Sequence, residues 1–227
     1  MGETAGLYKD YVAFKGWDED GAARSPDDFA ALLGLAGKQR GYRLLDIGFG
    51  RGELLDWAKS QGAETHGVEI IPELVTRARA RGHAASASLR RLPAGKFDVI
   101  VATDVLEHLT VDQLRDLLAQ VRRLLAADGA FIARFPNGQS PFSGAYQNGD
   151  LTHVLHLTPN AVRQLAVAAG LRLERACNLR PGARGLRGLR RAAAYLLRDL
   201  VEIALGYAYF GHRMPMDPNV VVVLRPL

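Results

Sequence analysis

The chain has 227 residues, of which 48% are hydrophobic and 23% are charged, and this composition predicts one globular domain over residues 1–227. Cys177 is the only cysteine, which excludes a disulfide within the chain and a multi-cysteine zinc site. The formal net charge of +5 suits phosphate-bearing partners, although a solvated basic surface has the same charge.

The first segment of the chain is predicted to be helical. Aromatic residues recur at helical spacing at Tyr8, Tyr11, Phe14 and Trp17, a pattern that usually reflects packing. Ser25–Pro26 then predicts the start of a second helix, because serine caps helix N-termini and proline is tolerated in the first turn.

An apolar strand that ends in an acid leads into a glycine-rich turn over Leu44–Gly52. The turn contains Gly48, Gly50 and Gly52. Glycine has no Cβ, so such a turn adopts positive φ and brings backbone N–H groups close to a ligand. A helix is predicted over Glu53–Lys59 and a second strand over Glu64–Glu69, which together form half of a nucleotide-type βαβ unit.

The glycine spacing distinguishes between cofactors. A dinucleotide fingerprint requires its third glycine one position later, where Glu53 stands. The run from Asp46 to Gly52 instead resembles motif I of the class I S-adenosylmethionine-dependent methyltransferases, and Glu69 matches that family's acid at the end of the second strand. The resemblance implies that the turn passes under the methionine part of the cofactor and that Glu69 accepts both ribose hydroxyls. Ordinary turn-forming and strand-capping acids are the alternative.

The resemblance assigns a set of positions at strand ends to the S-adenosylmethionine site. These are Asp46, Gly48, Phe49, Gly50, Gly52, Glu69, Ile70, Ser88, Leu89, Thr103, Asp104 and His108. Ser88 follows the predicted third strand, where family members frequently carry an acid for the adenine amino group. Its hydroxyl and the backbone N–H of Leu89 are the expected substitutes. The resemblance also implies that residues 1–38 form a helical lid, with Tyr11, Lys15 and Trp17 as candidates for covering the site.

A buried-type strand begins at Phe97 and ends in the polar residues Asp104, Glu107 and His108. The run resembles the fourth-strand motif of the family, and its acid-x-x-acid-His cluster resembles that of the ubiquinone-pathway O-methyltransferases, in which the cluster can hold a divalent cation. These side chains would bind Mg²⁺ only with added water and substrate ligands. We therefore expect no functional metal. The simpler role for Glu107 and His108 is to cap and pack the next helix, predicted over 111–126 and ending at Asp128–Gly129.

Three further strands are predicted over Ala130–Phe135, Leu171–Cys177 and Asn219–Arg225. The resemblance then implies an α/β fold with a Rossmann-like seven-stranded methyltransferase sheet. Its strand order would be 3-2-1-4-5-7-6, with strand 7 antiparallel and helices on both faces.

The loop before the helix that Thr158–Pro159 opens contains Asp150, His153 and His156. This acid-x-x-His string resembles bacterial methyltransferases associated with polysaccharide and lipopolysaccharide gene products. An alcohol is a poor nucleophile at neutral pH, and histidine titrates in the range useful for a base. His153, oriented by Asp150, is the predicted catalytic base and His156 the reserve. An ordinary hydrogen-bonding histidine is the alternative.

Residues 179–218 form an insert between strands 6 and 7 that is longer than a hairpin connection. Its apolar part is broken by arginines and acids, which disfavours a membrane-spanning helix. We expect an amphipathic helix, used as a substrate lid or homodimer face or, less favoured, for peripheral membrane contact through 186–210.

These observations predict an S-adenosylmethionine-dependent O-methyltransferase acting on a sugar or glycoconjugate hydroxyl, with a small-molecule or glycan acceptor. The alternatives are O-methylation of a quinone, polyketide or other secondary metabolite, and a non-catalytic S-adenosylmethionine-binding subunit. A nucleic-acid acceptor is disfavoured, because the Asn/Asp-Pro-Pro-aromatic string of amino-methylating enzymes is absent. No basic segment followed by an apolar run opens the sequence, so we expect a cytoplasmic protein. Association with the inner face of a membrane remains open.

Overall fold

Residues 25–38, 41–182 and 185–227 are described by the computed structural model, and their strands form one seven-stranded sheet. The strands are β1 (Arg43–Ile47), β2 (Glu64–Val68), β3 (Ala84–Ser86), β4 (Phe97–Thr103), β5 (Leu125–Pro136), β6 (Leu171–Cys177) and β7 (Asn219–Pro226). Their spatial order is β3-β2-β1-β4-β5-β7-β6. Only β7 is antiparallel to its neighbours β5 and β6, so the predicted topology is confirmed.

Helices alternate with the strands along the chain. They are α1 (Pro26–Gly34), α2 (Glu53–Ser60), α3 (Pro72–Ala80), α4 (Val111–Leu124), α5 (Gly144–Gln147), α6 (Pro159–Ala168) and α7 (Gly185–Phe210). The predicted start of α1 is confirmed, because Ser25 Oγ accepts from the backbone N–H of Asp27 at 3.3 Å. Thr158 caps α6 in the same way, accepting from Ala161 at 3.1 Å.

Two apolar layers cover the two faces of the sheet. On one face, Leu45 and Ile100 pack beneath side chains of α4 and α6. On the other, Leu44 and Val99 pack beneath α1 and α2. Strands buried on both faces are continuously apolar, and this explains why β1 and β4 could be recognised without strict alternation.

The boundary between α4 and β5 differs from the expectation. The sequence predicts a helix end at Asp128–Gly129 and a strand from Ala130, but β5 begins at Leu125. Leu125 is buried and pairs with Phe97, after which the register jumps to Val99 and Ala130. The intervening residues therefore form a bulge in the strand rather than a helix C-cap.

The helix expected within 179–218 is α7, which joins β6 to β7. None of the helices in the described ranges is long and apolar enough to span a membrane. The lid candidates Tyr11, Lys15 and Trp17 lie outside the described residues.

Candidate functional site

A crevice of about 690 Å³ opens at the carboxyl ends of β1, β2 and β4. The chain leaves β1 toward β2 on one side, whereas β4 lies on the other side of β1. In open α/β sheets ligands bind where the strand order reverses in this way. The volume also falls within the range of small-molecule sites.

Most of the residues predicted to hold the cofactor line this crevice. They are Asp46, Gly48, Phe49, Gly50, Glu69, Ile70, Ser88, Leu89, Thr103, Asp104 and His108. Gly52 is not among the lining residues and instead occupies the N-cap of α2 with φ +77°. A Cβ at Gly52 would lie 2.5 Å from Arg81 Nη2, so this glycine allows the arginine to pack beneath the turn.

Gly48 fixes the start of the glycine turn. It adopts φ +70°, and a Cβ there would lie 2.5 Å from Val105 Cγ2. Its backbone N–H donates to the carbonyl of Val68 at 2.7 Å. The turn is thus held between the end of β2 and the loop that follows β4, a fit that requires a residue without a side chain.

Glu69 clamps the same turn from the second strand. Its side chain is buried, and Oε2 accepts from the backbone N–H of Gly50 at 3.0 Å. Oε1 accepts from the N–H groups of Ile70 at 2.7 Å and Ile71 at 3.2 Å. An ionised carboxylate offers about four acceptor positions, so these bonds leave capacity on Oε2 for a ligand hydroxyl. This remaining acceptor position fits a ribose hydroxyl, which donates, as the resemblance implies.

Phe49, which also lines the crevice, belongs to an apolar cluster with Leu55, Leu74 and Val75. A Cβ on Gly67 in β2 would lie 2.4 Å from Phe49 Cδ1. Gly67 therefore makes room for the ring that supports the glycine turn. This role was missed at the level of sequence, because nothing local marks Gly67 as facing Phe49.

Asp104 directly follows β4 and has a conformation that non-glycine residues rarely adopt. Its φ is +56°, and within the described ranges no other non-glycine residue has positive φ. Its N–H donates to the carbonyl of Arg134 at 2.9 Å. The Arg134 guanidinium donates to both carboxylate oxygens, with Nε 3.1 Å from Oδ1. Such local strain persists only where neighbouring contacts enforce it. No sequence pattern singled out Arg134.

His108 lies at the wall of the crevice and is held by the loop after β5. Its Nδ1 is 2.8 Å from Thr152 Oγ1 and 3.3 Å from the Thr152 carbonyl. A carbonyl only accepts, so Nδ1 carries the proton and Nε2 the lone pair in the neutral ring. Thr152 Oγ1 in turn donates to Asp150 Oδ1 at 2.5 Å. His108, Thr152 and Asp150 thus form a hydrogen-bonded chain that ends in a carboxylate.

His153 lies behind His108 and is largely buried. The two imidazole rings pack edge to face with centroids 4.7 Å apart, and His153 Nδ1 is 3.0 Å from the carbonyl of Gln147. His153 Nε2 is 3.9 Å from Glu107 Oε1 and from Asp150 Oδ2. Asp150 thus accepts the two Thr152 hydrogen bonds on Oδ1, while its Oδ2 lies near His153. His156 is exposed.

The groups able to hold a cation differ from those suggested by the sequence. Ligand atoms of Glu107, His108 and His153 lie within 4.8 Å of one another, whereas Asp104 is engaged by Arg134. Glu107 and His108 lie in a short 3-10 turn, and α4 is capped instead by Thr110 and Gln113 in a reciprocal capping box. Two imidazoles and a carboxylate suit a transition metal better than Mg²⁺.

Comparison with known sequences identifies the family. The sequence profile of a methyltransferase-domain family matches residues 18–176. A ubiquinone biosynthesis O-methyltransferase of Xanthomonas oryzae pv. oryzae is 34% identical over 116 residues, which cover 43% of this chain and 47% of that protein. An uncharacterized protein of Mycobacterium bovis is 36% identical over 81 residues, covering 32% of this chain and 30% of that protein. The chain thus spans less than half the length of these curated relatives.

Solved structures share the fold at low sequence identity. A SAM-dependent methyltransferase from Archaeoglobus fulgidus superposes with a TM-score of 0.63 at 19% identity, over 96% of this chain and 97% of that one. The 1,6-didemethyltoxoflavin-N1-methyltransferase of Burkholderia thailandensis, solved with S-adenosylhomocysteine, gives 0.62 at 19% identity over 98% and 86%.

Because the profile covers more than half of the sequence, the chain belongs to the methyltransferase-domain family. The class predicted from the glycine turn and the two strand-end acids, a class I S-adenosylmethionine-dependent methyltransferase, is confirmed.

Proposed function

We propose that this chain transfers a methyl group from S-adenosylmethionine to a hydroxyl oxygen of a small molecule, in the first place a sugar or glycoconjugate. The observation that carries the proposal is the position of His108 at the wall of the crevice that Glu69 and the glycine turn also line. A site for the methyl donor and a histidine that could accept the hydroxyl proton lie in one cavity, as O-methylation requires.

Bound S-adenosylmethionine supplies an electrophilic methyl group, and the residues described above would hold and orient it. Glu69 would accept a hydrogen bond from a ribose hydroxyl on Oε2, while the fixed glycine turn lets a ligand approach the backbone closely. Ser88 and Leu89 line the crevice beyond β3 and would contact the adenine. Positioning of donor and acceptor supplies much of the rate in such a transfer.

His108 is the residue that we place against the acceptor. The chain from its Nδ1 through Thr152 to Asp150 would orient the ring, and the hydroxyl proton would go to the other ring nitrogen, Nε2. Asp150 would stabilise the resulting imidazolium through the Thr152 hydroxyl. His153, the base predicted from the sequence, would then support the His108 ring from behind.

Two variants separate the roles of the histidines. His108→Asn should lower kcat by about 100-fold or more, the usual contribution of a general base, with S-adenosylhomocysteine affinity nearly unchanged. His153→Gln should have a smaller effect. Loss of turnover in His153→Gln with activity retained in His108→Asn would identify His153, not His108, as the catalytic base. Retained turnover in both variants would refute histidine catalysis and favour direct methylation of an already ionised acceptor.

A phenolic hydroxyl of a quinone precursor is the second candidate acceptor. It is favoured by the relative that functions as a ubiquinone biosynthesis O-methyltransferase. A phenol has a pKa near 10, as in tyrosine, and therefore needs less help from a base. Incubation with labelled S-adenosylmethionine and separate sugar and catechol acceptors, followed by mass spectrometry, distinguishes the two classes. Label in neither pool, despite donor binding, would support a non-catalytic subunit.

We further propose that the reaction needs no metal. Treatment with a chelator should leave the rate unchanged. Loss of activity that Mn²⁺ or Zn²⁺ restores would instead place a cation among Glu107, His108 and His153 and would exclude His108 as the base.

A further inference from the structure

The glycine turn after β1 has little stiffness of its own. Gly48, Gly50 and Gly52 all adopt positive φ, at +70°, +54° and +77°, and glycine in a free chain populates many other conformations. Glu69 holds the middle of the turn, because its carboxylate accepts from the N–H of Gly50. The end of the turn, where the chain enters α2, therefore needs a support of its own.

Arg81, in the loop between α3 and β3, contacts that end of the turn. Its Nη2 donates to the carbonyl of Arg51 at 2.6 Å, and its Nη1 donates to Asp56 Oδ2 at 2.8 Å. The guanidinium thus joins the turn to the first turn of α2. A Cβ on Gly52 would lie 2.5 Å from Nη2, so the third glycine of the motif makes room for this arginine.

A buried histidine fixes the carboxylate that holds Arg81. His83 Nε2 is 2.7 Å from Asp56 Oδ1, and its Nδ1 is 2.9 Å from Thr65 Oγ1. A carboxylate only accepts hydrogen bonds, so Nε2 donates to Asp56, and Nδ1 of the neutral ring accepts from the threonine hydroxyl. Oδ1 is thereby held by His83, and Oδ2 faces Arg81. These groups form a connected chain from β2 to the glycine turn.

The exposure of the Arg81–Asp56 pair indicates what this chain is for. The two side chains are 40% and 45% exposed, and an ion pair of this exposure contributes little to the stability of a whole fold. The bond from Arg81 to Arg51 instead acts on a turn that lines the crevice. A ligand that must first order such a turn binds with an affinity reduced by the fraction of molecules in which the turn is already ordered.

We infer that Arg81, oriented by Asp56 and His83, is a positioning residue that preorganises the glycine turn for S-adenosylmethionine. Arg81 is not among the residues that line the crevice, so it acts through the Arg51 carbonyl. The inference rests on the donor site and not on the methyl acceptor or the catalytic base. Failure of the protein to methylate a hydroxyl would therefore leave it standing.

Calorimetry with S-adenosylhomocysteine and hydrogen exchange on the full chain test the inference. Arg81→Gln should weaken binding about threefold to tenfold, because the turn loses one support, while the melting temperature stays near the native value. Exchange over residues 48–57 should be faster in the free variant and return to the native rate at saturating ligand, which then orders the turn itself. A loss of overall stability would instead speed exchange throughout the chain.

A second variant and a matched control accompany this change. Arg81→Lys keeps the charge but lacks the forked guanidinium, so it should show the same changes to a smaller extent, and it carries the test if Arg81→Gln does not fold. Arg77→Gln is the control, because Arg77 also lies on α3 but pairs with the exposed Glu73. It should alter neither the affinity nor the exchange of the turn.

Asp56→Ala tests the orientation of the guanidinium. It should weaken S-adenosylhomocysteine binding by a factor similar to Arg81→Gln, and combining the two changes should add less than about twofold, because both remove one contact. Native affinity or native exchange of the free turn in Arg81→Gln would overturn the inference. So would a double variant whose loss equals the product of the two single losses. Native protein that does not bind S-adenosylhomocysteine would overturn the donor site and this inference together.

Discussion

Substitution of Glu69 by glutamine probes the clamp on the glycine turn. Both carboxylate oxygens accept backbone N–H groups, Oε2 from Gly50 and Oε1 from Ile70 and Ile71. Either orientation of the introduced amide therefore points its NH₂ group at a backbone donor. The change removes at least one charge-assisted hydrogen bond without altering the size of the side chain.

Hydrogen bonds to charged groups contribute about 1.5–3 kcal/mol. Since each 1.4 kcal/mol is a factor of ten, Glu69→Gln should weaken S-adenosylhomocysteine binding about tenfold to 100-fold. The free energy of unfolding should fall by about 1–3 kcal/mol, because Gly50 also loses its partner. Isothermal titration calorimetry and urea unfolding measure the two effects on the same samples.

Glu73→Gln is the matched control. Glu73 is exposed at the start of α3 and pairs with Arg77, so the same loss of charge should change both quantities little. If Glu69→Gln binds within about threefold of the native protein while remaining folded, Glu69 does not hold the donor and the assignment of the crevice is wrong.

Other predictions concern the turn, the hydrogen-bonded chain and the cysteine. Gly48→Ala should lower the free energy of unfolding by roughly 2–4 kcal/mol in urea titrations, because its methyl group meets Val105 at positive φ; unchanged stability would contradict the packing. Thr152→Val should lower kcat and shift its pH profile, because His108 loses its orienting hydroxyl, whereas Thr152→Ser should restore both. Burial raises the pKa of the Cys177 thiol, so iodoacetamide should alkylate it more slowly in the native protein than in urea at pH 8. This group's contribution to stability is present below its unfolded pKa and declines as pH rises through the higher folded value.

Local sequence patterns were sufficient for most of the fold. Buried strands such as Phe97–Thr103 have mostly apolar residues, and the start of α6 carries a Thr-Pro signal. The start of β5 was missed because Leu125 pairs with Phe97 across a bulge. Local helix propensity predicted that α4 would extend through Ala126. The pairing of Leu125 with the distant Phe97 makes this segment a strand instead.

The cofactor crevice was predictable because its residues follow strand ends. Parallel strands bring those ends to one edge, so Asp46, Glu69 and Asp104 meet regardless of the connecting helices. Thr152, Arg134 and Gly67 were missed, since their roles depend on contacts with residues far away in the chain. Spacing alone also did not distinguish His108 at the crevice wall from His153 behind it.

A crystal structure with S-adenosylhomocysteine tests the central claim most directly. Difference density should place the ribose within hydrogen-bonding distance of Glu69 and the homocysteine part beside the Gly48–Gly50 turn, with His108 facing the sulfur side of the same crevice. Density elsewhere on the protein, or a crevice filled by side chains at saturating ligand, would contradict the account.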